Sequence, residues 1–217
     1  MHSQSPLPKT GLYAITDQVL TRDRGLFTCV KQVLDAGAAI VQYRDKTASG
    51  AQLRERAETL LELCRKYKVP LIVNDDVQLA LAIGADGVHV GRDDDAVASA
   101  RALLGPAAIV GASCYHELSL AQRAVDDGAT YVAFGRFFTS KTKPGQALAD
   151  LNLLVQARQQ LKVPIAAIGG ITANNGRALV ESGADLLAVI HDLWCEPDCR
   201  PRAKALAECF EALPNMQ

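Results

Sequence analysis

Leu71-Ile72-Val73-Asn74-Asp75-Asp76 is a short apolar run that ends abruptly in an amide and two carboxylates. Leu71 to Val73 suit a parallel strand covered on both faces, which reads as a continuous apolar run rather than an alternation. Asn74 and Asp75 then stand at its carboxyl end, where parallel α/β folds bind ligands. Asp75 or Asp76 can equally serve as a simple cap for the helix that follows, Val77 to Ile83. The stretch alone leaves both readings open.

Working outward, a helix-to-strand junction of one kind recurs. Asp35-Ala36-Gly37-Ala38-Ala39 leads into Ile40 to Gln42, and Gly84-Ala85-Asp86, Gly128-Ala129-Thr130 and Gly183-Ala184-Asp185 each lead into another apolar run. The glycine closes a helix in a left-handed conformation and the chain turns straight into a strand. Eight such runs are present: 11–16, 39–43, 71–74, 87–90, 109–113, 131–135, 165–169 and 186–190. A helical pattern follows each, clearest over Ala51 to Tyr67, where Leu53, Ala57, Leu60, Leu61 and Cys64 share one face. Pro70 and Pro164 stand just ahead of strands, where no helix continues.

Eight strand–helix units in 217 residues fit one α/β domain, a (β/α)8 TIM barrel over 11–217 behind a polar tail at 1–10. An open doubly wound sheet has the same element order. It would scatter the polar strand ends along an edge, with strands ~4.8 Å apart, whereas a barrel aims them at one spot. Hydrophobic residues make up 49% of the chain and net charge is −1, so no basic nucleic-acid face is expected. No apolar run approaches the ~20 residues that span a bilayer. The tail does not read as a secretory leader, so a cytoplasmic protein with free thiols is expected from the six cysteines. Cys195 and Cys199 have zinc-like spacing but no second ligand pair.

The strand ends carry the chemistry. Alternation places Gln42, Arg44 and Lys46 on one side while the strand stays extended, and two inward cations need an anionic partner, unless the charges form a loop exposed to water. A carboxylate among Asp93, Asp94 and Asp95 can share a hard divalent cation with Asp75, and two carboxylates without His or Cys suit Mg2+ better than zinc. Ser113 can donate to an anion or serve only as a small packing residue. The loop Thr139-Ser140-Lys141-Thr142-Lys143-Pro144-Gly145 has the hydroxyls, lysines and glycine that bind phosphate. Gly169 and Gly170 let backbone approach a phosphate, or simply make a tight turn, and Asn174 can start a helix. His191 stands at the rim, with no role favoured, and His89 reads as a hydrogen-bonded core histidine.

Six motifs in register, Gln42-x-Arg44-x-Lys46, Asn74-Asp75, His89-x-Gly91-x-x-Asp94, Gly111-x-Ser113, Ser140-x-Thr142-Lys143 and Ile168-Gly169-Gly170-Ile171, resemble the thiamine-phosphate synthase family from about Gly11 to Ile190. That resemblance implies a transferase of thiamine biosynthesis. It would join hydroxymethylpyrimidine pyrophosphate to thiazole phosphate and release pyrophosphate, by a Mg2+-assisted dissociative displacement. It further implies that Gln42, Arg44, Lys46, Asn74, Ser113 and Lys143 hold the pyrimidine pyrophosphate, with Arg44, Lys46 and Lys143 catalytic. Asp75 and Asp94 would hold Mg2+. Ser140, Thr142 and Gly170 would hold the thiazole phosphate, with Ile190 and His191 alongside. Arg92 replaces the family's usual Gln, Ser140 replaces its first Thr, and the loop after Lys143 is short. The partners expected are small molecules, neither nucleic acid nor membrane, and the oligomeric state is open. The rival readings are a thiazole tautomerase of the related family and a non-catalytic barrel that senses a phosphorylated ligand.

Overall fold

Parallel strands alternate with helices around the whole chain and close on themselves. The strands are β1 (Gly11–Ile15), β2 (Ile40–Tyr43), β3 (Leu71–Asn74), β4 (Gly87–Val90), β5 (Ile109–Tyr115), β6 (Tyr131–Gly135), β7 (Ile165–Ile168) and β8 (Leu186–Val189). The helices are α1 (Leu26–Asp35), α2 (Gly50–Tyr67), α3 (Val77–Ile83), α4 (Ala96–Leu104), α5 (Leu118–Asp126), α6 (Leu151–Gln160), α7 (Ala173–Glu181), α8 (His191–Trp194) and α9 (Arg200–Ala207). In this computed structural model residues 5–91, 96–139 and 148–211 are described. Pairing of β1 with β8, Gly11 opposite Leu186 and Ala14 opposite Val189, completes the barrel and excludes the open sheet. Each expected strand is present: β3, β4 and β6 have the expected bounds, and the others differ at one end by a residue or two.

Two apolar layers hold the barrel. Inside it pack Tyr13, Ile15, Ile40, Ile72, Ile109, Tyr131 and Leu186, with the smaller Ala133, Ala166 and Ala188 on β6 to β8. Outside, strand residues such as Leu12, Val41, Val73 and Val132 meet the helices, including Ala57, Leu60, Leu61 and Cys64 of α2. Strands covered on both faces account for the unbroken apolar runs. Burial lifts the Cys64 and Cys114 thiols to about 12. All six cysteines are unpaired, and only Cys195 is exposed.

The repeated Gly-Ala-x junction has a specific task. Its third residue donates its backbone N–H to the strand before: Ala39 to Leu12, Asp86 to Leu71, Thr130 to Val110 and Asp185 to Ile165. In three of the four, the side chain returns the bond. Asp86 accepts the Leu71 N–H at 2.9 Å, Thr130 accepts that of Val110 at 2.9 Å, and Asp185 accepts that of Ile165 at 2.7 Å. Each polar residue thereby satisfies a strand-opening amide that would otherwise be orphaned. At the fourth junction Ala39 packs against Gly11 so closely that a Cβ there would stand 2.6 Å from its own.

Described residues toward both ends of the chain join the barrel. Within the polar tail Leu7 packs on the interior cluster, and Ser5 donates its N–H to Asp86 at 2.7 Å. After β8, Trp194 is buried and its Nε1 donates to the Ile15 carbonyl at 2.7 Å. The α9 helix packs against α1, α7 and β1, so the segment from Cys195 completes the helical ring. No helix among the described residues is long and apolar enough to cross a membrane.

Candidate active site

A cavity of about 360 Å³ opens at the carboxyl ends of the strands. Tyr13, Ile15 and Gln42 contribute from β1 and β2, and Ala133 and Ala188 leave room opposite. Arg44, Asn74, Ser113, Gly170, Ile190 and His191 all line it. The barrel therefore brings together residues drawn from five separate strand ends.

Arg44 and Lys46 part company. The β2 strand stops at Tyr43, and Thr16 grips the next residue, accepting the Arg44 N–H at 2.8 Å and donating to its carbonyl at 3.0 Å. Asp45 then turns the chain by accepting from Thr47 N–H, Thr47 Oγ1 and Ala48 N–H, and it pairs with Arg56 at 2.7 Å. Burial opposes its charge, but these donors prevail and hold its pKa at about 2. The expected alternation consequently ends before Lys46, which is exposed and does not line the cavity.

The two adjacent carboxylates that follow β3 divide their tasks. Asp76 is the cap of α3, accepting the Leu79 N–H at 2.8 Å. Asp75 has a left-handed backbone, φ 61°, and its N–H donates to the His89 carbonyl at 2.8 Å. Its exposed carboxylate accepts from Asn74 Nδ2 at 2.8 Å. The other carboxylate oxygen lies 4.0 Å from where a Cβ on Gly91 would stand, beside the loop that carries Asp94. Among the described residues Asp75 enters no ion pair and no group of three or more His, Cys, Asp or Glu gathers to bind a metal. Arg92, Asp94, Ser140, Thr142 and Lys143 lie outside the described residues.

Ser113 is more than a packing residue, because its Oγ is 2.9 Å from His89 Nε2 at the cavity wall. His89 is indeed hydrogen-bonded in the core, and burial pulls its pKa down to about 4, so the ring is neutral. Gly169 and Gly170, at φ 104° and 67°, are demanded first by loop packing. A Cβ on Gly169 would meet Arg136 Cβ at 2.1 Å, and one on Gly170 the Thr139 carbonyl at 2.5 Å. The next helix starts at Ala173 rather than Asn174. Thr172 caps it in a reciprocal box with Asn175, whose Oδ1 accepts the Thr172 N–H at 2.8 Å.

The family model described as thiamine monophosphate synthase matches residues 12–193 of the chain. The chain belongs to that family. Thiamine-phosphate synthases from Methylobacillus flagellatus and Thiobacillus denitrificans are each 50% identical to it, over 96% and 94% of this chain and 98% and 97% of theirs. A solved thiamine phosphate pyrophosphorylase from Pyrococcus furiosus is 33% identical, covers 93% of this chain and 95% of its own, and superposes with a TM-score of 0.82. A 3-hexulose-6-phosphate synthase, at 18% identity and a TM-score of 0.64 over 93% and 100% of the two chains, shares the fold alone. Membership in the thiamine monophosphate synthase family makes this chain an enzyme, a transferase of thiamine biosynthesis, as the six motifs implied.

Within that family frame, several lining residues escaped sequence reasoning. Tyr13 lines the cavity, while Tyr131 and Thr16 do not line it but bond the lining residues His89 and Arg44. Arg136 and Asp192 also line the cavity. One Asp192 oxygen is buried without a partner among the described residues, and burial raises its pKa. No spacing in the sequence marks these positions.

Proposed function

We propose that this enzyme joins hydroxymethylpyrimidine pyrophosphate to thiazole phosphate, releasing pyrophosphate and forming thiamine phosphate. The observation that carries the reading is a single cavity with Gln42, Arg44, Asn74 and Ser113 on one side and Gly170, Ile190 and His191 on the other. Two phosphorylated heterocycles need such opposed half-sites above one reaction volume.

In this reading Arg44 and Ser113 of the cavity wall hold the diphosphate oxygens together with Lys143, and Lys46, exposed outside the lining, would have to reach in over the rim. Positive charge placed where the leaving oxygens become anionic is commonly the largest catalytic contribution. The bond from the pyrimidine methylene carbon to the diphosphate oxygen breaks, and the aminopyrimidine stabilises the resulting cation. The thiazole nitrogen then supplies its lone pair to that carbon, so no protein nucleophile is required. Ile15, Ile168 and Ile190 give the cavity apolar wall that keeps water from intercepting the cation. Ser140, Thr142 and Gly170 hold the thiazole phosphate.

The donor set at the β3 end fits a hard divalent cation, because the Asp75 carboxylate is exposed, enters no ion pair among the described residues and faces the β4 loop. Asp75 and Asp94 would hold Mg2+, which when bound neutralises charge on the diphosphate.

The test is product formation from both substrates with and without Mg2+. Thiamine phosphate and one equivalent of pyrophosphate are expected only with all three, and Lys143→Ala is expected to lower turnover by roughly two orders of magnitude. Binding without pyrophosphate release would overturn the proposal in favour of a sensor, and isomerisation of a thiazole alone would favour a tautomerase. Thr16→Val, which frees the backbone beside Arg44, is expected to raise the KM for the pyrimidine pyrophosphate roughly tenfold. An unchanged KM would separate Arg44 from that substrate.

A further inference from the structure

We propose that Gln42, Tyr13, Tyr131 and His89 form a one-directional hydrogen-bond chain that makes Ser113 an obligate donor to the bound diphosphate, with His89 as its positioning residue. The proposal rests on the substrate reading above and deepens it.

The order of donors follows from the partners available. Gln42 Nε2 donates to the Tyr13 hydroxyl at 2.6 Å. Tyr13 and Tyr131 hydroxyls are 2.7 Å apart, and Tyr131 lies 2.9 Å from His89 Nδ1. Among the described residues, the Tyr131 oxygen is the one acceptor left for the buried Tyr13 proton. Tyr131 then gives its own proton to His89 Nδ1, which must be bare. A neutral imidazole with Nδ1 bare carries hydrogen on Nε2, so Nε2 donates to Ser113 Oγ at 2.9 Å. Ser113 has accepted, and its own O–H is free to turn to the cavity that it lines.

The reverse order fails at both ends. With Gln42 Nε2 on Tyr13, it leaves a Tyr13 O–H buried with nothing to receive it, which is unfavourable. It also spends the Ser113 proton on His89 and shows only lone pairs to the ligand. Diphosphate oxygens accept hydrogen bonds and cannot donate to those lone pairs, so only the forward order attracts them.

The barrel is shaped around this chain. A Cβ on Gly111 would stand 2.0 Å from Tyr131 Cζ, so the glycine two residues before Ser113 exists to admit that ring. Tyr13 and Tyr131 meet edge to face, with centroids 5.8 Å apart, and Tyr131 leans on His89 at 5.6 Å. The rings and their hydroxyls are thereby fixed together.

The test begins with ring-labelled 15N-histidine in the substrate-free wild type, the His89 signals being those that vanish in His89→Gln. A pyrrole-type Nε2 and a pyridine-type Nδ1 are expected. Protonation on Nδ1 overturns the proposal while leaving the proposed reaction standing, since this readout needs no substrate. Kinetics supply the second arm. His89→Leu is expected to raise the KM for the pyrimidine pyrophosphate roughly tenfold with a smaller change in kcat. His89→Gln keeps an N–H donor to Ser113 and should restore most of that KM, whereas packing alone gives no such rescue. Equal KM values for the Gln and Leu variants would also overturn it. A wild type that makes no thiamine phosphate would instead remove the reaction itself, whatever the tautomer.

Discussion

Asp75→Asn is expected to lower turnover by roughly two orders of magnitude at saturating substrates and Mg2+, with little change in melting temperature. Asparagine suits the test because Asp75 stands at φ 61°, a left-handed conformation that Asn and Asp tolerate and most residues do not. The amide keeps the backbone bond to the His89 carbonyl and the side-chain shape, and removes only the charge. Alanine would mix loss of charge with backbone strain. The neighbour gives the contrasting result. Asp76→Ala removes the cap on Leu79 and should cost about 1 kcal/mol of stability while leaving turnover near wild type. Steady-state rates and thermal melts of the two variants check both halves. Near-normal turnover in Asp75→Asn would remove this carboxylate from the proposed metal site.

Trp194→Ala is expected to destabilise the protein by about 3–5 kcal/mol, a large part of the 5–15 kcal/mol typical of a folded domain. Trp194 is buried at the join between the last strand and the first, and its indole N–H satisfies the Ile15 carbonyl. Arg24 donates to the carbonyls of Trp194 and Glu196, and Gln32 accepts the Cys199 N–H at 3.0 Å, so the segment is tied down on both sides. Removing the ring leaves a cavity and an orphaned carbonyl together. Trp194→Phe, which keeps most of the volume, should lose only about 1–3 kcal/mol. Urea unfolding followed by circular dichroism measures both. A cost below about 1 kcal/mol for Trp194→Ala would mean that the C-terminal segment is an appendage.

The barrel was legible because its signals are local. Runs such as Leu71 to Val73 and the glycine stops at Gly37, Gly84, Gly128 and Gly183 depend on neighbours in the chain. Closure itself was inferred from polar strand ends, and the pairing of β1 with β8 bears that out. What stayed hidden lies between elements. The third residue of each Gly-Ala-x junction showed its repetition but not its task, since Asp86 and Asp185 act on strands 15 and 20 residues away. Tyr13 and Tyr131, 118 residues apart, become a polar pair only when the sheet has closed. Lys46 was placed by strand alternation, yet Asp45 gathers donors from Thr47, Ala48 and Arg56 and bends the chain first. Asp75 and Asp76 could not be told apart by residue type, because the difference between them is a backbone angle.

The junction residues Asp86, Thr130 and Asp185 give the molecule a division of labour along its axis. These side-chain-to-amide ties gather on the floor, where strands begin, and the cavity lies on the roof, where they finish. Under the proposed reaction, an engineer seeking a new acceptor heterocycle would start from roof positions that line the cavity, such as Ile190 and His191. Random changes on the floor should be met mostly as lost expression rather than altered selectivity.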